Sequence, residues 1–266
     1  MDLHGISKFI QYTWDSFPCL DILINNAAQT IRRPKQFFQH LVTSATRDAL
    51  EPSQQNLIAN EKQPVVAKRS RPDLDLALPC DANSLNEFFP TDRMDEHGQQ
   101  LDLRPTNSWR SQLQDVPPSE LLEVLLVNTV APFLLTQQLR PLFLRRRESR
   151  KFIVNVSAME GQFERVSKTK FHPHTNMAKA ALNMMTRTAA LGFAEDRIYM
   201  TAVDTGWVTD ERPFHMARYE KQQGFQLPLD CVDGAARVYD PIVRGLQEKG
   251  TPCHAVFLKN YKPFPW

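Results

Sequence analysis

Apolar and polar positions follow two alternating periods along this chain, and the switches between them outline its elements. From Leu3 to Phe17 the apolar residues Ile6, Phe9, Ile10 and Trp14 recur at helical spacing, which predicts an amphipathic helix. "LDILINNAA", Leu20 to Ala28, is a short apolar run closed by two asparagines and reads as a buried strand ending in a turn. "DVPPSELLEVLLVNTVAPFLLTQQLRPLFLRRR" reads as one long helix. Ser119 is its expected N-cap, and basic residues crowd the C-terminal end, where they suit the helix dipole. "KFIVNVSA" (Lys151 to Ala158) and "RIYMTAVDTG" (Arg197 to Gly206) are two further buried strands, with the helix "FHPHTNMAKAALNMMTRTAA" between them. Glu211 to Gln226 is polar and irregular. "DGAARVYDPIVRGLQ" is another helix, and "HAVFL" (His254 to Leu258) a last strand.

Strands alternating with helices predict the α/β class: a doubly wound parallel sheet with helices on both faces. Ligands bind such sheets at the carboxyl ends of the strands, where Asn25, Ser157 and Asp204 lie. Between about residues 29 and 115 the pattern lapses. "EPSQQNLIANEKQPVVAKRSRPDLDLALP" is polar with scattered prolines, and a stretch this long reads as an insertion or as partly disordered. Residues 40 to 90 are expected to be unpacked or to lie over the exposed edge of the first strand. The whole, 1–266, reads as a single truncated Rossmann-like domain with one long irregular insertion.

Composition narrows the function. A chain of 266 residues with 42% hydrophobic residues can bury a sizeable core, and a net charge of +2 points to neither nucleic acid nor an anionic membrane as partner. Its first residues lack the basic-then-apolar order of a signal peptide, and the longest apolar run, "LLVNTVAPFLL", is short of a membrane span. Cys19, Cys80, Cys231 and Cys253 form no CxxC pair, which fits a reducing, cytoplasmic setting with no metal site.

The candidate chemistry gathers at strand ends and on one helix. Thr175 and Lys179 are four residues apart and share a helix face. In order along the chain come "DILINNAA", "LLVNTVAPF", "FIVNVSAMEG", the Thr175–Lys179 helix and "DTGWVTD". In that order and at those intervals the chain resembles the short-chain dehydrogenase/reductase family from Asp2 to its C-terminus, in a divergent branch. The resemblance implies an oxidoreductase of a carbonyl/alcohol pair that uses NAD(P). It implies Asn128, Ser157 and Lys179 as catalytic residues, with Thr175 where the family has its tyrosine. It implies cofactor contacts at Asn25, Ala27, Lys179, Gly206 and Thr209. It also implies a homodimer through the helices at about 119–140 and 176–193.

Departures from the family pattern shape the expectation. No GxxxGxG or GxGxxG occurs in the sequence, and two βα units, roughly 60 residues, of the nucleotide-binding half have no counterpart. NAD(P) binding by this chain is therefore expected to be weak or absent. A phenol has a pKa of about 10, which a nearby ammonium lowers, whereas an alcohol is as weak an acid as water. Thr175 is thus a poor proton donor, and the expectation is that it caps its helix. Its substitute is sought in Lys179, His174 or Asp204. Counted back from Gly161, the family's Ser-x-x-Gly spacing lands on Ala158, so Ser157 faces the site only if the turn holds an extra residue. Two functions stay open: a divergent oxidoreductase with impaired or altered catalysis, or a non-catalytic scaffold that keeps the fold for dimerisation.

Overall fold

In the computed structural model, residues 3–38, 87–90, 93–95, 98–164 and 167–266 are described. The five strands are β1 (Ile22–Asn25), β2 (Lys151–Ser157), β3 (Ile198–Asp204), β4 (Phe257–Lys259) and β5 (Lys262–Phe264). They form one sheet in that order; the first four are parallel, and β5 runs antiparallel to β4. The helices are α1 (Leu3–Ser16), α2 (Pro118–Leu144), α3 (Pro173–Glu195), α4 (Phe214–Gln222) and α5 (Cys231–Gln247).

Every residue of β2 and β3 is buried, because both sheet faces are covered there. Phe152, Val154 and Val156 pack with Val238 and Ile242 of α5 on one face. Ile153 packs with Phe143 of α2 and Ala190 of α3 on the other. On that side α1 lies on α2 through Ile6, Ile10, Leu139 and Leu142. By length and composition α2 is apolar enough to cross a membrane, and part of that apolar surface is the core it shares with the sheet and α1. β1 is an edge strand among the described residues. Its Ile22 and Ile24, in register with Phe152 and Val154, are 41% and 43% exposed.

Several boundaries differ from expectation. The last parallel strand begins at Phe257 rather than His254, because Ala255 turns the chain with φ +55°. Strand β5 was not foreseen; Asn260 and Tyr261, both with positive φ, close its hairpin with β4. Pro117, not Ser119, holds the N-cap position of α2. The segment read as irregular contains α4.

The flanks of the insertion pack onto the body. The Gln29 backbone pairs with Asn128, Arg32 reaches Glu123 at 2.9 Å, and the backbone NH of His172 donates to Ser111 at 2.8 Å. Phe89 is buried against Phe37. Most of residues 40 to 90, on which the expectation of an unpacked segment rested, lie outside the described residues.

Candidate active site

The odd-numbered residues of β2 face α3, and the site grows from them. Asn155 accepts from the Asn25 amide at 2.7 Å and donates to the Thr186 hydroxyl at 2.9 Å, so one hydrogen-bonded row crosses β1, β2 and α3. Two residues on, the Ser157 hydroxyl donates to Asn183 at 2.5 Å. Beyond Ser157, Ala158 leads into a single 3-10 turn, Met159–Gly161. That turn supplies the extra residue, and Ser157 thereby faces α3. Gly161 is required where it sits: a Cβ there would come 2.8 Å from the Lys179 carbonyl carbon and 2.8 Å from the Asn183 side-chain nitrogen.

Lys179 is one helical turn before Asn183. Its amine donates to the Val156 carbonyl at 2.8 Å and is buried. Burial penalises the ammonium and pulls the amine down to about 8, against the opposing charges of Glu160 and Asp204. Asp204 lies opposite Ser157 in the β2–β3 register. Its carboxyl is pushed above the ordinary range by burial, partly offset by the backbone amides of Gly206 and Met159. Lys179, Ser157, Asn183 and Asp204 are thus brought together at the carboxyl ends of the two central strands.

The other predicted residues take different places. Asn128 lies in a π-helical stretch of α2, Leu126–Val130, and its amide holds both the NH and the CO of Gln29, at 2.7 and 3.0 Å. Next to it, Thr129 donates to the Ala178 carbonyl at 3.0 Å, which ties this stretch to the Lys179 turn. π-Helical stretches of this kind are frequent at functional sites. Asn25 is tied up with Asn155, and Ala27 is exposed in the turn after β1. Gly206, at φ +80°, begins the loop after β3, and Thr209 on that loop donates to Glu211.

Thr175 does not cap α3. The helix starts at Pro173, and the N-cap position is His172, in a left-handed conformation with φ 43°. A proline at the first helical position sets that start. Thr175 is 3% exposed, and its hydroxyl has no hydrogen-bond partner among the described residues. His174 is also buried, with Nε2 3.3 Å from a carboxylate oxygen of Glu120 on α2. Burial alone would raise the Glu120 carboxyl. The neighbouring polar groups of His174 and Ser108, and the charge of Arg32, hold it below the ordinary value instead.

Sequence reasoning missed Asn183, Asn155 and Glu120. Asn183 was within reach: it stands four residues after Lys179 on the same helix face. Among the described residues no group of three His, Cys, Asp or Glu side chains is placed to hold a metal ion.

A family profile described as Enoyl-(Acyl carrier protein) reductase matches residues 98–225. An uncharacterized protein of Acanthamoeba polyphaga mimivirus is 29% identical over 230 residues, covering 84% of this chain and 44% of the viral one. A short-chain dehydrogenase from Streptomyces avermitilis superposes with a TM-score of 0.51 at 16% identity, over 98% of this chain and 68% of its own. NADPH-bound carbonyl reductase from chicken fatty liver superposes with a TM-score of 0.45 at 22% identity, over 61% of this chain and 64% of its own. This chain spans under half the length of the viral relative.

Proposed function

We propose that this chain, a divergent protein of the short-chain dehydrogenase/reductase type, is an oxidoreductase of a carbonyl/alcohol pair with NAD(P) as its hydride carrier, in which Lys179 moves the proton that a tyrosine moves elsewhere. One observation carries the reading. A buried amine, brought to about 8, sits at the carboxyl end of β2 beside Ser157. A group titrating near the working pH is matched to proton transfer in either direction.

The residues present fit one end of the dinucleotide. Lys179 donates one hydrogen bond to Val156 and keeps two N–H groups for a ribose or a substrate oxygen. Asp204 acts on it by charge, and the Gly206–Thr209 loop follows Asp204, the Gly206 NH donating to that carboxylate. For the pyrophosphate, the sequence offers no glycine-rich turn ahead of a helix. The nicotinamide, when bound, supplies or takes the hydride. In reduction the Lys179 ammonium gives its proton to the carbonyl oxygen as negative charge develops there; in oxidation the neutral amine takes it back. Ser157, whose own proton is committed to Asn183, offers its oxygen lone pairs to the substrate hydroxyl and orients it.

Titrating the chain with NADPH and NADH while following nicotinamide fluorescence tests this reading. Saturable binding weaker than about 10 µM, roughly −7 kcal/mol, is expected, because the phosphate cradle is missing. No saturation up to about 1 mM would favour the second reading.

That second reading, a non-catalytic scaffold, is supported by apolar side chains left on the surface. Met177, Met184 and Leu191 recur every seven residues along α3 and are 52%, 55% and 63% exposed. Leu122, Val130 and Phe133 are exposed on α2. Pairing of these two helices with their copies would bury both rows and give a homodimer. Under either reading we place the protein in the cytoplasm, with neither nucleic acid nor membrane as partner.

A further inference from the structure

A cleft of about 160 Å³ lies against the N-terminal end of α3, lined by Trp109, Arg110, Glu160, Lys168, Phe171, His172 and Asn176, among others. It opens at the carboxyl side of the sheet, since Glu160 belongs to the turn that follows β2. Its volume is close to the ~150 Å³ in which a benzene ring fits.

Three of the lining side chains are aromatic: Trp109, Phe171 and His172. The indole of Trp109 stacks on the His172 imidazole, with centroids 3.9 Å apart and planes 8° from parallel. His172 holds a left-handed backbone that is unfavourable for a side chain of its size, and three contacts keep it there: the Trp109 stack, its NH on the Ser111 carbonyl, and Nδ1 at 3.2 Å from the Asn176 amide oxygen. Burial lowers the imidazole's pKa, so it offers a neutral ring.

Arg110 is the distinctive wall. Most half-buried arginines here have a carboxylate: Arg32 with Glu123, Arg104 with Asp102, Arg212 with Asp210. The Arg110 guanidinium is stacked on Phe171 at 3.8 Å, and among the described residues it makes no ion pair and no side-chain hydrogen bond. A guanidinium held flat on a ring keeps its N–H edges for an in-plane acceptor, and a carboxylate matches that fork with two bonds. Lys168, which donates to the Glu160 carbonyl, adds a second positive charge to the cleft, and the Glu160 carboxylate that also lines it adds one negative charge.

We infer that this cleft binds a small planar carboxylate of single-ring size, its anion on Arg110 and its ring along the Trp109–His172 stack. The further step, that such a compound is the carbonyl or alcohol substrate, rests on the oxidoreductase reading above. Glu160 makes the link, lining the cleft while its charge acts on Lys179.

Isothermal titration of the full chain, without cofactor, with benzoate, benzamide, acetate and inorganic phosphate tests the site on the wild-type protein. Benzoate should bind saturably. Benzamide, acetate and phosphate should each bind at least tenfold more weakly, the first for want of charge and the others for want of a ring. Arg110→Leu should weaken benzoate at least tenfold with little change in melting temperature. Lys179→Met should bind benzoate as the wild type does, so that failure of the oxidoreductase reading and failure of this one are separately visible. The inference is overturned if benzoate does not bind, if benzamide, acetate or phosphate matches it, or if Arg110→Leu leaves its affinity unchanged. It is equally overturned if Lys179→Met weakens it more than tenfold, which would put the anion on the lysine.

Discussion

Lys179→Met is expected to lower kcat/KM for any carbonyl/alcohol pair the protein turns over by at least about 100-fold, the low end of what a positioned acid or base contributes. Thr175→Val is expected to leave it within about threefold, because an alcohol, a far weaker acid than a phenol, cannot deliver a proton at neutral pH. The two substitutions should also separate in stability. The Thr175 hydroxyl is buried without a partner, so valine should add about 1 kcal/mol, the opposite of the loss expected for a helix cap. For Lys179 the sign runs with pH. Its folded value, about 8, lies below the ordinary 10.5, so below pH 8 the fold holds a charged amine that burial disfavours. That penalty fades as pH rises from about 8 to 10.5, and wild-type stability should gain across this window. In Lys179→Met the gain should be absent. Equal loss of turnover in both variants, or a loss in Thr175→Val alone, would contradict the assignment.

Phe143→Ala should cost about 3–5 kcal/mol and lower the melting temperature by roughly 10 °C. Phe143 is fully buried where α2, α3 and the sheet meet, packed with Ile153, Ala190, Ile198 and Met200. Leu20 and Leu23, leading into and within β1, close the same cluster. Removing the ring leaves a cavity that three elements cannot collapse into together. Leu122→Ala, 66% exposed on the same helix, is the control and should be nearly silent in the monomer. A Phe143→Ala loss below about 1 kcal/mol would mean that α2 does not pack on the sheet as described.

The central strands were legible because both of their faces are covered, which turns them into mostly apolar runs such as "FIVNV" and "IYMTAV", each broken by one polar residue. The sheet's far edge was not. "KPF" of β5 carries a proline and lies exposed, and the register of β4 is set by a left-handed Ala255 that no propensity marks. The N-terminus of α3 was misplaced although Pro173 signals it, since Thr175 also looked like a cap. At the site, Lys179 and Ser157 are named by resemblance to the family's motifs, although the family's serine–glycine spacing points to Ala158. The side Ser157 faces could not be read from the sequence, because one added residue in a 3-10 turn decides it. Glu120 and the Trp109–His172 stack depend on which helix meets which loop, a fact of packing that no local pattern in the sequence encodes.

The central claim, that Lys179 moves the proton, is tested most directly by the pH dependence of kcat/KM for carbonyl reduction in wild type and Thr175→Val. Both should hold level at lower pH and fall above about pH 8, as the ammonium that serves as acid is lost. A wild-type profile with no fall near pH 8, or a fall that disappears in Thr175→Val, would contradict it.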